Sequence, residues 1–396
     1  MKVGFFTDSY RPYTSGVVRS IELFSREFNS KGHEVYIFGP DYPLLHCPKE
    51  EKVFRFLSIP APTFPDYALP IPISVQLGPT IRRIGLDIIH VHSPFLLGRL
   101  GARAARRYKL PLVFTFHTLY DQYVHYLPLA QNASRRLVQM IGRDFCNRCD
   151  LVITPSNLVL NYLRRIGVTT ALKTIPTGID LNEFKDTNPR WLYENYNIDP
   201  GARILLFVGR LGKEKNVTFL LKSFQILQEI IPNLHLVLVG KGPLEPQLRQ
   251  LCSELAIASK VTFTGVLPRH KIVHCYASAY LFVFPSVTET QGLVIGEAKA
   301  SGLPVVAIRA FGPAEMVRHG EDGILTEPSL TSFTEGILQL LQDDRLYQAM
   351  RQKAFENASL LSSSYCASQM LEAYEELIEA RKQSPGLKRI KAGSTT

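Results

Sequence analysis

A chain of 396 residues is too long for one ordinary core and suits two domains of roughly 180 residues each. Its 45% hydrophobic and 20% charged residues exclude general disorder, and no run of about 18 uncharged apolar residues is present to cross a membrane as a helix. The net charge of +10 lies almost wholly in the first half: residues 1–180 hold 22 Lys and Arg against 13 Asp and Glu, and residues 181–396 hold 23 against 22. Nucleic acid, an anionic membrane surface and plain solubility all fit that asymmetry.

The chain opens directly on a strand-like Lys2–Phe6, without the charged, apolar and small-residue regions of a signal peptide, so a cytoplasmic location is expected. Continuous apolar runs predict further strands at Glu34–Phe38, Asp87–His90, Leu112–Phe116 and Leu151–Thr154. Amphipathic helical patterns lie between them. The stretch Pro60–Pro79 carries six prolines and predicts an irregular, partly apolar loop. Cys146 and Cys149 form a C-x-x-C, but no second pair supports zinc, and all six cysteines are expected to be reduced packing residues.

Around Lys173–Asp180 a Pro/Gly turn predicts a hinge near Gly178. Beyond it, strands are predicted at Ile204–Val208, His235–Val239, Val261–Thr264, Leu281–Phe284 and Val305–Ile308. Two sets of five strands alternating with helices predict an α/β protein of two Rossmann-like, doubly wound parallel-sheet domains, 1–178 and 179–364. A final helix, 365–385, is expected to pack back on the first domain, and 386–396 to form a frayed basic tail.

Three segments carry chemistry. In Pro285-Ser-Val-Thr-Glu-Thr-Gln-Gly-Leu-Val-Ile-Gly-Glu297 a strand ends, a turn follows, and Gly292 opens a helix. Backbone amides around Gly292, Leu293 and Val294 then suit a diphosphate. Glu289 and Glu297 lie eight residues apart, so they address different parts of one extended ligand, and carboxylates suit vicinal diols. Upstream, Phe207-Val-Gly-Arg-Leu-Gly-Lys-Glu-Lys-Asn216 places Arg210 and Lys215 after a strand, as fixed cations for a leaving diphosphate without a bound metal. In the first half, Asp8–Val18 forms a loop into a helix with Gly16 able to approach a ligand closely, and His117 follows the strand Leu112–Phe116, where parallel sheets bind ligands.

The Glu289–Glu297 block, with its Gly-Leu-Val helix start, resembles the donor signature of glycosyltransferase family 4, and the resemblance extends over nearly the whole chain. It implies a GT-B arrangement, two domains flanking a cleft, and a retaining hexosyltransferase using a nucleotide-sugar. Glu289 would then contact the donor hexose, Glu297 the ribose, Gly292–Val294 the phosphates, and Arg210 and Lys215 would match the family's two cations. Ser15 stands where the family commonly has a first glycine. His117 would orient the donor and stabilise the transition state. No carboxylate nucleophile is evident, so a front-face reaction is implied, with the leaving phosphate oxygen taking the acceptor proton. No tightly bound cofactor is implied, although Mg2+ remains open as a non-essential addition.

The run His117–Pro128, with Thr288–Val294, looks most like bacterial diacylglycerol glucosyltransferases. That likeness implies UDP-glucose as donor, a 1,2-diacylglycerol acceptor, and Tyr120, Tyr123, His125 and Tyr126 on the acceptor side. Residues 82–109 hold seven basic residues against Asp87, and Arg99, Arg103, Arg106 and Arg107 share one helix face while Leu96, Leu97 and Leu100 are expected to pack inward. Such a stripe suits anionic headgroups and predicts peripheral attachment to the inner face of the cell membrane. A mannosyltransferase using GDP-mannose on phosphatidylinositol, or an enzyme with a soluble sugar acceptor, shares the same donor motifs. A nucleic-acid partner is not expected, because the charges surround no reading motif or stacking platform.

Overall fold

A computed structural model describes residues 1–61, 64–120 and 131–383. The chain divides into two compact units, Met1–Gly178 with the segment from Ser363 onward, and Ile179–Ser362.

The first unit contains β1 (Lys2–Phe6), α1 (Gly16–Ser30), β2 (Glu34–Pro40), β3 (Val53–Phe56), β4 (Ser58–Ala61), β5 (Phe64–Pro70), α2 (Leu77–Ile84), β6 (Ile88–Val91), α3 (Leu96–Tyr108), β7 (Leu112–Thr115), α4 (Gln131–Cys146), β8 (Leu151–Thr154), α5 (Asn157–Arg165) and β9 (Ala171–Thr174). Seven of these strands form a parallel sheet in the order β3-β2-β1-β6-β7-β8-β9. Val3, Phe5, Ile88, Val113 and Ile153 pack under Phe24 and Phe28 of α1.

The second unit contains α6 (Trp191–Tyr196), β10 (Arg203–Val208), α7 (Val217–Ile230), β11 (Leu234–Val239), α8 (Glu245–Glu254), β12 (Val261–Gly265), α9 (Arg269–Ser278), β13 (Leu281–Phe284), α10 (Leu293–Ala300), β14 (Val305–Ile308), α11 (Phe311–Met316), β15 (Gly323–Thr326), α12 (Leu330–Gln342) and α13 (Asp344–Ser359). Its parallel sheet runs β12-β11-β10-β13-β14-β15. The central strands are buried on both faces, which is why they read as unbroken apolar runs. After Ser362 the chain rejoins the first unit as α14 (Ser363–Gln383), where Cys366, Met370 and Tyr374 enter the core beside α1, and Arg381 pairs with Asp150 at 3.0 Å.

Two expectations are corrected. The sheets hold seven and six strands among the described residues, not five each, because β3, β9 and β15 are short edge strands and β9 is only half-buried. The proline-rich stretch is not simply a loop: β4 and β5 pair antiparallel as a separate ribbon. Each strand of a two-stranded ribbon has an open edge, so Pro60 and Pro70 are tolerated there without a ladder N–H. Cys146 and Cys149 are buried free thiols, and burial pushes the Cys146 thiol up to about 12.

In the second unit the last turn of α10 is fixed by a buried ion pair. Lys299 Nζ lies 2.6 Å from Asp322 Oδ2 and donates to the Met316 carbonyl at 2.8 Å. Asp322 also accepts from the Arg318 amide and the Asn357 amide group, each at 2.8 Å. The two partners are 3% and 0% exposed, so removing one strands the other without water. Asp322→Ala is expected to lower the unfolding free energy by about 3–5 kcal/mol in urea titrations, whereas replacing both partners with apolar residues should recover most of the loss.

Candidate functional site

In an open parallel sheet, ligands gather at the carboxyl ends of strands where the winding direction reverses. In the second unit that point lies between β10 and β13, since β11 and β14 continue outward in opposite directions. Most of the predicted donor residues sit in the two loops leaving these strands.

After β10, Arg210 is partly buried, and a short 3-10 turn, Lys213–Lys215, presents Lys215. After β13, the Ser286 hydroxyl lies 3.0 Å from the Glu214 carbonyl and 3.1 Å from Glu289 Oε1, tying the two loops together. Lys215 Nζ donates directly to Glu289 Oε1, and both side chains are mostly buried. The predicted cation and predicted acid are thus paired with each other. Gly292 adopts φ +85°, a left-handed conformation that suits glycine, and turns the chain into α10, whose first amides lack helical acceptors.

Glu297 faces inward from α10. Its Oε1 is 2.8 Å from Arg269 Nη1 and its Oε2 accepts from the Tyr276 hydroxyl at 2.9 Å. Arg269 also binds Glu183 at 2.8 Å. Burial pulls the Arg269 pKa down, but the carboxylates of Glu297 and Glu183 outweigh it and leave the guanidinium above its ordinary value. A carboxylate has about four lone-pair sites, so Glu297 retains capacity for a ligand hydroxyl.

Gly312, at the start of α11, was not anticipated. A Cβ there would lie 2.4–2.6 Å from the Gln291 main chain, and the Gly312 amide donates to the Glu289 carbonyl at 2.9 Å. The segment bearing Glu289 is therefore held by backbone contact with the next helix. The only sequence signal was the Gly-Pro pair at 312–313.

In the first unit the reversal lies between β1 and β6. Asp8, just after β1, is buried. It accepts from the Ser93 hydroxyl and, at 2.7 Å, from the Leu97 amide, closing the amino end of α3. Burial raises its pKa despite these bonds. Ser15 caps α1 by accepting from the Val18 amide at 3.3 Å, which gives this departure from the family pattern a structural task, and Gly16 follows as the first helical residue.

His117 Nε2 lies 3.0 Å from Nδ1 of His92, with the rings stacked 5.2 Å apart. Burial pushes the His117 pKa down to about 3, although part of its surface remains exposed. His90 and His92 are 1% and 2% exposed and lie well below the usual histidine range, again chiefly through burial. Neither was singled out from sequence; their i, i+2 spacing across the end of β6 was the available signal. Tyr120 packs edge-on against Phe95 and Phe116. Tyr123, His125 and Tyr126 lie outside the described residues.

Arg99, Arg103, Arg106 and Arg107 are all exposed on α3. The buried face is made by Leu97 with Gly98, Gly101, Ala104 and Ala105, so Leu96, which is exposed, does not pack inward as expected, and Leu100 is only half-buried. Among the described residues no cluster of His, Cys, Asp or Glu is arranged to hold a metal ion.

Comparisons with known proteins agree with this division. Residues 14–183 match the family described as Glycosyltransferase Family 4, and residues 192–357 match Glycosyl transferases group 1. Alpha-monoglucosyldiacylglycerol synthase of Streptococcus pneumoniae is 33% identical over 312 residues, covering 78% of this chain and 71% of its own. The protein of the same name from Acholeplasma laidlawii is 27% identical, covering 82% and 84%. The solved Anabaena Alr3699/HepE in complex with UDP-glucose superposes with a TM-score of 0.76 at 20% identity, over 95% of this chain and 100% of that one.

Gly312→Ala is expected to displace the Glu289 loop and lower activity by about 100-fold, since small misplacements of a site carry penalties of that order. Retained far-ultraviolet circular dichroism would separate this from unfolding. A second expectation concerns pH. Unfolded, His90 and His92 take up protons near 6.5, whereas the native protein keeps them neutral, so stability is complete above that value and falls on acidification below it. The slope approaches about 1.4 kcal/mol per pH unit for each histidine. Urea midpoints at pH 7.5 and 5.5 measure it, and an unchanged midpoint would contradict the neutral burial of these rings.

Proposed function

The chain belongs to glycosyltransferase family 4, and from that premise we propose that it transfers glucose from UDP-glucose to the hydroxyl of a 1,2-diacylglycerol with retention of anomeric configuration. The observation that carries this reading is the corner where the Lys215–Glu289 pair adjoins the start of α10 at the sheet reversal.

As the bond from the anomeric carbon to the phosphate oxygen breaks, negative charge collects on the diphosphate. The amides of Gly292, Leu293 and Val294, with Arg210 and Lys215, answer that charge. The acceptor hydroxyl forms its bond to the same face of the anomeric carbon, and its proton passes to the departing phosphate oxygen. Glu289 receives hexose hydroxyls on lone pairs left free by Lys215, and Glu297, held by Arg269 and Tyr276, receives the ribose. His117 orients the hexose as a neutral ring.

The acceptor assignment draws on the two alpha-monoglucosyldiacylglycerol synthases. It is supported by the exposed arginines of α3, each contributing about 1 kcal/mol near an anionic leaflet. Exposed aliphatic residues near the β4–β5 ribbon, Ile73 at 78% and Val75 at 91%, add apolar surface. No helix among the described residues is long and apolar enough to cross a membrane. We therefore assign peripheral attachment to the inner face of the cell membrane.

The test incubates the full chain with UDP-glucose, UDP-galactose or GDP-mannose, with neutral or phosphatidylglycerol-containing vesicles, with and without diacylglycerol, and reads products by mass spectrometry. Glucosyl-diacylglycerol should form only with UDP-glucose and diacylglycerol, faster on anionic vesicles, and Glu289→Ala should abolish it. Transfer from GDP-mannose, or to a soluble sugar without lipid, would overturn the acceptor and donor assignments.

A further inference from the structure

Residues of a strand spaced two apart project from the same face. His90 in β6 and His92 just beyond it keep that alternation, and so do Thr115 at the end of the neighbouring β7 and His117 two residues later, so all four share one face of the first sheet. Their rings form a column: His90 and His92 stack at 4.4 Å, and His92 and His117 at 5.2 Å, both pairs inclined by 22°. His90 anchors the inner end. Its Nδ1 is bonded to the Tyr374 hydroxyl on α14, and its Nε2 lies 2.7 Å from Thr115 Oγ1. Phe5 sets its edge against His92 at 4.7 Å.

Two neutral imidazoles that share a hydrogen bond must divide the roles of donor and acceptor. If His117 Nε2 donated, His92 would carry its own proton on Nε2. That atom is buried and has no hydrogen-bond partner among the described residues. Buried N–H groups without acceptors are rarer than acceptors left short of donors. The opposite arrangement leaves a bare nitrogen at the buried position and places the proton of His92 on Nδ1, facing His117.

We infer that His92 is a positioning residue that donates from Nδ1 to His117 Nε2, fixing His117 as the tautomer protonated on Nδ1 in a ring plane held by the stacked column. In that tautomer Nδ1 of His117 carries the proton as an N–H donor. Any use of it toward the transferred sugar rests on the reading of His117 as a donor-orienting residue, whereas the tautomer itself does not.

The experiment uses full-length protein labelled with 15N-histidine, with the His117 ring signals identified by their loss in His117→Ala. In the unaltered protein His117 should show a protonated Nδ1 and a bare Nε2. His92→Phe keeps a stacking ring but removes the donor, and should convert His117 to a mixture of tautomers. Its kcat should fall on the order of 10- to 100-fold, the range found when a group orienting a metal-bound histidine is removed. His92→Asn, whose amide nitrogen occupies the place of Nδ1, should restore both signals and turnover, and His92→Gln should not. A wild-type His117 protonated on Nε2, or a tautomer unchanged in His92→Phe, would overturn the inference, and the wild-type spectrum decides even if a variant fails to fold. Full turnover in His117→Ala would instead remove the catalytic assignment of His117 and leave the tautomer result standing.

Discussion

Every functional feature of this chain depends on one geometric constraint: all strands of each large sheet run in the same direction, and the winding reverses once. Parallel pairing requires every connection to cross back over a face of the sheet. Where the crossovers part, at β10 and β13 in the second unit, two adjacent strands deliver loops with no helix between them. Lys215 and Glu289 meet there because their loops leave neighbouring strand ends, although they are 74 residues apart in sequence. The first unit repeats the scheme between β1 and β6, where Asp8 reaches Ser93 and Leu97.

The charges at the second-unit corner are largely matched before any ligand is considered. Lys215 is answered by Glu289, and Glu297 by Arg269 and Tyr276. A mostly buried carboxylate or ammonium left alone would be costly, and the pairing offsets the burial of both, with Lys215 Nζ 5.9 Å from the centre of the Phe284 ring. On the proposed reading, an incoming diphosphate would exchange one set of charge-assisted bonds for another. Preorganisation of this kind is what electrostatic stabilisation of a leaving group requires.

The first unit uses burial differently. Three histidines are kept neutral by desolvation, and they are held by stacking, by the His92–His117 hydrogen bond and by the bonds of His90 to the Tyr374 and Thr115 hydroxyls. The helix that closes this column, α14, comes from the far end of the chain. Through Tyr374 and Arg381 it ties the carboxyl-terminal segment to β6 and to Asp150.

The sequence by itself determined the fold class, the central strands and the positions of the loops at the candidate site, because buried parallel strands read as continuously apolar runs and glycine suits the left-handed turn at Gly292. The Glu289–Glu297 and Arg210–Lys215 spacings were legible for the same reason: they are local, set by one turn and one helix. Only the tertiary structure decided which charges pair, since Arg269 reaches Glu297, and Lys299 reaches Asp322, across separate elements. It likewise decided the edge strands β3, β9 and β15, each only four residues long, and the proline-bearing ribbon, whose open edges excuse the missing N–H groups. His92 shows the difference most clearly. Its place two residues beyond His90, just past a predicted strand, was readable, but its meaning depends on a neighbour 25 residues away that only strand pairing brings within 3.0 Å.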